Sequence, residues 1–266
     1  MLVKICNGFL VVLCVLSFSA CVTTPESGRQ AFIITSENEE SQMGLQAYSE
    51  VLKKEKVSSN ARWNEIVQRV GARIAKSANK PEYQWEFKLL ESKEQNAFCL
   101  PGGKVAIYTG ILSVCQNEAA LAAVMGHEVA HATARHGGQR MTVALGTQIG
   151  LVGFSAILGQ NQSTEKNLLL AALGVGSQVG VMLPFSRSNE SEADEIGLTY
   201  MARAGYDPKE APRFWDRFSE VTKGSPPEFL STHPASQNRK AALEAQVSKA
   251  NAIYAGSPKY GIGETF

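Results

Sequence analysis

His127 and His131 stand one helical turn apart, with Glu128 beside the first, in a stretch running from Asn117 to His131 that is rich in helix formers. On a helix the two imidazoles project from one face, where a pair of ring nitrogens can hold a single metal ion. Glu128 lies about 100° further round, within reach of a water activated by such an ion. Metal-assisted hydrolysis is the chemistry this spacing offers.

A catalytic zinc takes three protein ligands and keeps a fourth position open. The segment from Ser186 to Gly197 offers the third: Glu190 and Asp194, four residues apart, share one face of a second expected helix. Glu190 would bind the ion, and Asp194 would hydrogen-bond a ligating imidazole and fix its tautomer. Glu192 is the rival ligand, but two residues on it points to nearly the opposite face. A third polar cluster runs from Ser231 through His233 and Pro234 to Arg239. Three of the four histidines in the chain fall in these segments. His136, five residues past His131, has left the ligand face and reads as a helix-end residue or as support for a ligand.

H-E-x-x-H on a helix is the signature of zinc peptidases. With it come Asn96-Ala97-Phe98, the run from Pro101 to Gly110, the segment from Ser186 to Gly197, and Thr232-His233-Pro234 with Arg239, in that order. In these motifs, over about residues 30–250, the chain resembles the HtpX/BepA-like zinc metalloendopeptidases, a family that includes the CAAX prenyl protease and Oma1 types, and in appearance its short bacterial lipoprotein members. The resemblance implies an α+β, predominantly helical, zincin-like (gluzincin) fold with a small antiparallel sheet, one zinc per chain, and endopeptidase activity. It implies ligands at His127, His131 and Glu190, a general base at Glu128, and supporting roles for Asp194, His233 and Arg239. A tetratricopeptide-like array of the BepA kind is not expected after the catalytic part.

At 266 residues and 44% hydrophobic content, one main domain with a sizeable core is expected, and a net charge of +1 gives no reason to invoke nucleic acid. Lys4 precedes an apolar run from Ile5 to Phe18, and small residues lead to Cys21. This reads as a lipoprotein signal peptide over 1–20, with Cys21 the lipidated first residue of an outer-membrane-anchored periplasmic protein. Cys6 and Cys14 belong to the leader, so an exported domain keeps Cys99 and Cys115, which read as a disulfide, with two buried thiols as the alternative.

Residues 21–35 read as a tether, 36–252 as the metallopeptidase domain, and 253–266 as a flexible tail. Helical patterning covers 36–55, 60–78, 208–221 and 235–251. Strands are expected at 85–90 and 105–109, the latter after the Pro101-Gly102-Gly103 turn. The second strand, Lys104, Val105, Ala106, Ile107 and Tyr108, with Asn96 nearby, would form the rim of the cleft and pair an extended, unfolded polypeptide along its free edge. Residues 142–183, uncharged and glycine-rich in two halves, read as two helices covering the cleft, with membrane insertion as the alternative.

Glu128 would take a proton from the attacking water and pass it to the departing amine, while His233, Arg239 or both stabilise the oxyanion. His233 has a second reading: its neutral imidazole could fill the open metal position and hold the enzyme latent. From another class altogether, a zinc-stabilised chaperone or binding module would carry the same ligands with little turnover.

Overall fold

The computed structural model describes residues 21–155, 185–221, 228–233 and 239–266, with the backbone alone over 147–155. The expected signal peptide, the second half of the expected cover and Pro234–Asn238 lie outside the described residues. The chain forms strands β1 (Cys21–Thr23) and β2 (Gln30–Phe32), helices α1 (Glu37–Lys54) and α2 (Ala61–Ala78), then strands β3 (Glu86–Leu90), β4 (Ala97–Leu100) and β5 (Lys104–Tyr108). Helices α3 (Thr109–Cys115), α4 (Glu118–Thr133), α5 (His136–Ser155), α6 (Arg187–Arg203), α7 (Glu210–Val221), α8 (Glu228–Thr232) and α9 (Arg239–Ala255) follow. Among the described residues no helix is long and apolar enough to cross a membrane.

Local signals account for most boundaries. Ser36 and Glu39 close a capping box on α1, and the Asn60 side chain accepts from the Trp63 amide at the start of α2. Asn117 accepts from the Ala120 amide and starts α4, while Ser186 accepts from the Asn189 amide and starts α6. Every residue of α4 is buried, which is what a helix apolar around most of its circumference requires. It runs through the centre of the domain, packed against α2, α6, α7 and β4.

The main sheet is mixed, not antiparallel as expected. β5 lies between β3, with which it is parallel, and β4, with which it is antiparallel. The reason is the unanticipated strand β4, which forms a hairpin with β5 through Pro101–Gly103, where Gly102 and Gly103 have φ of +82° and +87°. Both edges of β5 are therefore occupied, so Lys104–Tyr108 has no free edge for a substrate. The strand that ends the sheet on the side of α4 is β4, beginning just after Asn96.

Three further expectations are corrected. Cys99 and Cys115 are free, buried thiols: Cys99 lies in β4 within the field of Glu128, whereas Cys115 ends α3 beside Arg217 and Glu210, in a different wall of the core. The tail is a strap and not a loose end. The Tyr260 amide bonds the Gly205 carbonyl at 2.9 Å, the Phe266 amide reaches the Gln116 carbonyl at 3.2 Å, and Arg73 stacks 3.7 Å from the Tyr260 ring centroid. The tether, likewise, is the docked β1–β2 hairpin, with Cys21 opposite Phe32 and Thr23 opposite Gln30.

Candidate metal centre

Helices α4 and α6 cross at a pair of glycines, and that crossing builds the site. A Cβ on Gly126 would stand 2.8 Å from the Gly197 carbonyl oxygen, and one on Gly197 would stand 2.8 Å from both the Gly126 carbonyl carbon and the His127 amide nitrogen. Only two bare backbones allow so close an approach. Gly126 immediately precedes His127, and Gly197 lies two turns beyond Glu190, so the crossing brings the ligand faces of the two helices together.

There the ring nitrogens His127 Nε2 and His131 Nε2 face each other at 3.1 Å. Glu190 Oε1 stands 3.3 Å from His131 Nε2, and Glu190 Oε2 stands 3.4 Å from His127 Nε2. His233, directly after α8, completes the group with Nδ1 3.1 Å from Glu190 Oε1 and 3.4 Å from His127 Nε2. One donor atom from each of the four residues lies within 4.8 Å of the others, and all four side chains are buried. Two imidazole nitrogens and a carboxylate, all buried and converging, fit a divalent cation.

Asp194 stands 3.0 Å from His127 Nδ1, which leaves His127 Nε2 to face the cluster. Burial disfavours charge on His127, yet hydrogen bonds to Asp194 and Glu190 outweigh it and raise its pKa to about 9. Burial alone would raise the Glu190 carboxyl, but the surrounding imidazoles, His233 first, hold it well below the usual carboxylate range. The site thus favours negative oxygen and awaits positive charge.

Glu128 is buried, its Oε1 has no hydrogen-bond partner among the described residues, and His233 Nε2 stands 3.6 Å away. Burial pushes its carboxyl pKa up, against the pull of His233 and His127, the direction a general base needs. Arg239, the other candidate for the oxyanion, pairs with the carboxylates of α6. Its Nε and one terminal nitrogen donate to the two Asp194 oxygens at 2.8 and 2.7 Å, its other terminal nitrogen is 3.1 Å from Glu190 Oε2, and its guanidinium lies 3.4 Å from the Trp215 ring centroid. A bidentate clamp that also faces Glu190 positions the carboxylates. Arg239 therefore supports the ligands.

Sequence reasoning missed the aromatic lining. Phe185 packs on His131 with ring centroids 3.9 Å apart, Phe229 stacks on His233 at 4.4 Å, and Trp215 meets His127 edge-on at 5.8 Å. These residues carry no motif; Phe185 directly precedes Ser186 and Phe229 stands three residues before Thr232, while Trp215 had no signal. His136 and Glu192 stay outside the cluster and touch it indirectly: His136 Nδ1 stands 2.9 Å from His131 Nδ1 and His136 Nε2 stands 2.9 Å from Glu192 Oε2. The strand residues Lys104–Tyr108 lie in the sheet behind α4. Of them, Lys104 is committed to structure, donating to the Gln84 carbonyl at 2.6 Å.

Residues 61–247 match the peptidase family M48. The chain belongs to that family. It is 35% identical to the mitochondrial metalloendopeptidase OMA1 of Schizosaccharomyces pombe over 225 residues, covering 83% of this chain and 64% of that protein. It is 31% identical to the beta-barrel assembly-enhancing protease of Escherichia coli K12, also over 225 residues, covering 82% of this chain and 46% of that one. A third relative, the OMA1 metalloendopeptidase of Arabidopsis thaliana, is 38% identical over 160 residues, covering 60% of this chain and 31% of its own length. The chain thus spans between 31% and 64% of the length of these relatives.

Proposed function

We propose that this M48 chain is a zinc-dependent endopeptidase that cleaves unfolded or misfolded polypeptides of the bacterial envelope. The observation that carries it is Glu128: a buried carboxylate with an unpartnered oxygen, beside a group of imidazole and carboxylate donors. His127, His131 and Glu190 would hold the zinc. When bound, it supplies Lewis acidity, polarising the scissile carbonyl and making water a nucleophile near neutral pH. Glu128 accepts the proton of the attacking water and hands it to the departing amine. Asp194 keeps His127 in its binding tautomer, and Arg239 neutralises Asp194 and Glu190. An extended substrate adds to the β4 edge of the sheet, a backbone pairing that accepts many sequences but only unfolded ones. His233 stands between Glu128 and Glu190, and in this arrangement it acts as the latency residue.

The location we infer is the periplasmic face of the outer membrane, with Cys21 as the lipid anchor. In support, Cys21 is exposed, and the similar E. coli protein is named for β-barrel assembly. One observation favours the binding-module reading: four donors make a closed set, as structural zinc sites have. A structural site has no use for the unpartnered Glu128, and we therefore prefer the peptidase. Incubation of the purified chain with unfolded casein decides between them. Cleavage abolished by a chelator and restored by zinc supports the peptidase; stoichiometric zinc with no chelator-sensitive cleavage favours the module.

A further inference from the structure

The β1–β2 hairpin is joined to a metal ligand by an unbroken row of hydrogen bonds. Thr24 Oγ1 donates to Glu192 Oε1 at 2.8 Å, the Ser27 hydroxyl donates to the same oxygen, and Arg29 donates through Nε and a terminal nitrogen to Glu192 Oε2 at 2.8 and 2.6 Å. Glu192 Oε2 in turn meets His136 Nε2 at 2.9 Å, and His136 Nδ1 meets His131 Nδ1 at 2.9 Å. His136 is fully buried, and the Glu192 side chain is nearly so.

The direction of each bond follows from the donor inventory. A carboxylate paired with a guanidinium accepts only, so His136 Nε2 carries a proton and donates to Glu192. The neutral His136 ring then presents a lone pair at Nδ1, and His131 Nδ1 must donate to it. That leaves His131 Nε2 bare, and Nε2 is the atom facing His127 and Glu190. The opposite assignment would place a proton on the nitrogen that has to bind the metal. Asp194 serves His127 in the same way. Each ligating imidazole is therefore oriented from behind, His127 by a carboxylate and His131 by an imidazole that a carboxylate orients.

We propose that Thr24, Ser27 and Arg29 of the N-terminal hairpin, acting through Glu192 and His136, are positioning residues for the metal ligand His131. The hairpin fixes the Glu192 carboxylate against His136, His136 fixes the tautomer and plane of His131, and the segment directly after Cys21 becomes part of the metal centre. Undocking of the hairpin from α6 lowers metal affinity without any ligand being touched. This rests on the assignment of His131 as a zinc ligand.

The test measures zinc affinity of the full mature chain by competition with a chromophoric chelator, beside thermal unfolding of each zinc-free variant. His136→Phe keeps the ring volume but removes both hydrogen bonds, and binds zinc about 10–100-fold more weakly. His136→Asn, whose amide can accept from His131 and donate to Glu192, recovers most of that loss, which a packing role for the ring would not allow. Arg29→Ala weakens binding in the same direction although it lies three side chains from the ion. The proposal is overturned if His136→Phe or Arg29→Ala binds zinc as tightly as the wild type, or if His136→Asn is no better than His136→Phe. A wild-type chain that binds no stoichiometric zinc is a different failure, since it removes the metal centre along with its support.

Discussion

Replacing Gly197 with alanine tests whether the helix crossing makes the metal centre. The added Cβ would lie 2.8 Å from the Gly126 carbonyl carbon, 2.8 Å from the His127 amide nitrogen and 2.9 Å from His127 Cα. All three are backbone atoms that no rotamer can move aside. Ordinary contact lies at about 3.5–4.0 Å, so α4 and α6 must separate by at least roughly 0.7 Å. Overpacking of this kind costs about 1–3 kcal/mol, while alanine in place of a helical glycine returns about 1 kcal/mol. The zinc-free protein should therefore lose little stability, about 0–2 kcal/mol. Zinc sites hold their ligands to within about 0.2 Å, and the crossing carries His127 and His131 on one helix and Glu190 on the other. A misplacement costing ~1.4 kcal/mol already weakens binding tenfold. Chelator competition should show at least that loss, and zinc should raise the unfolding temperature less than it does in the wild type. Gly146→Ala is the control, because a Cβ there meets no atom of the described residues within 4 Å. Gly197→Ala protein that binds zinc with wild-type affinity would refute the reasoning.

Glu128→Gln should retain one zinc per chain, read by metal analysis, while casein cleavage falls about 10²–10⁴-fold; a variant that cuts at wild-type rate removes the base. His233→Ala should raise cleavage several-fold, since it frees the space between Glu128 and Glu190, and a fall in kcat would make His233 an oxyanion donor instead. Burial pushes the Cys99 thiol well above its ordinary range and raises that of Cys115 in the same direction. Neither should react with a thiol reagent at pH 8 in the folded chain, and both should react after denaturation. A mass two protons short of the dithiol, in protein purified under oxidising conditions, would show the disulfide that the structure lacks.

The candidate ligands were legible because a metal imposes chemistry and spacing together: helical periodicity set His127 with His131 and Glu190 with Asp194, the resemblance chose Glu190, and the structure brings these residues together. Helix ranges were legible from apolar patterning, and the structure places caps at Ser36, Asn60, Asn117 and Ser186. What escaped was everything decided by long-range pairing. The Ala97–Leu100 strand is short and reads as a loop until its partner is known, and that omission made the sheet antiparallel and gave β5 a free edge. The tail is rich in glycine and proline, yet three of its residues find backbone partners on two distant loops. The resemblance gave Arg239 a supporting role without its partner, because nothing in one dimension shows that Asp194 claims two of its nitrogens.

In the proposed peptidase, His233 would decide whether the site is open or closed. Its ring is held between Phe229 at 4.4 Å and Phe185 at 5.1 Å, and its amide donates to the Phe229 carbonyl at 2.8 Å. Nε2 points at Glu128 and Nδ1 at Glu190, so in the proposed mechanism the imidazole occupies the volume into which a scissile carbonyl would come. Substrate entry and His233 docking are therefore mutually exclusive. An enzyme built this way pays for specificity in its resting state: a segment must displace one histidine and two aromatic contacts before it meets the base. A long unfolded chain, gaining backbone pairing along β4 as it enters, can offset that cost where a short peptide cannot. Preference for unfolded protein over short peptides then follows from the energetics of one side chain, without any selectivity for sequence.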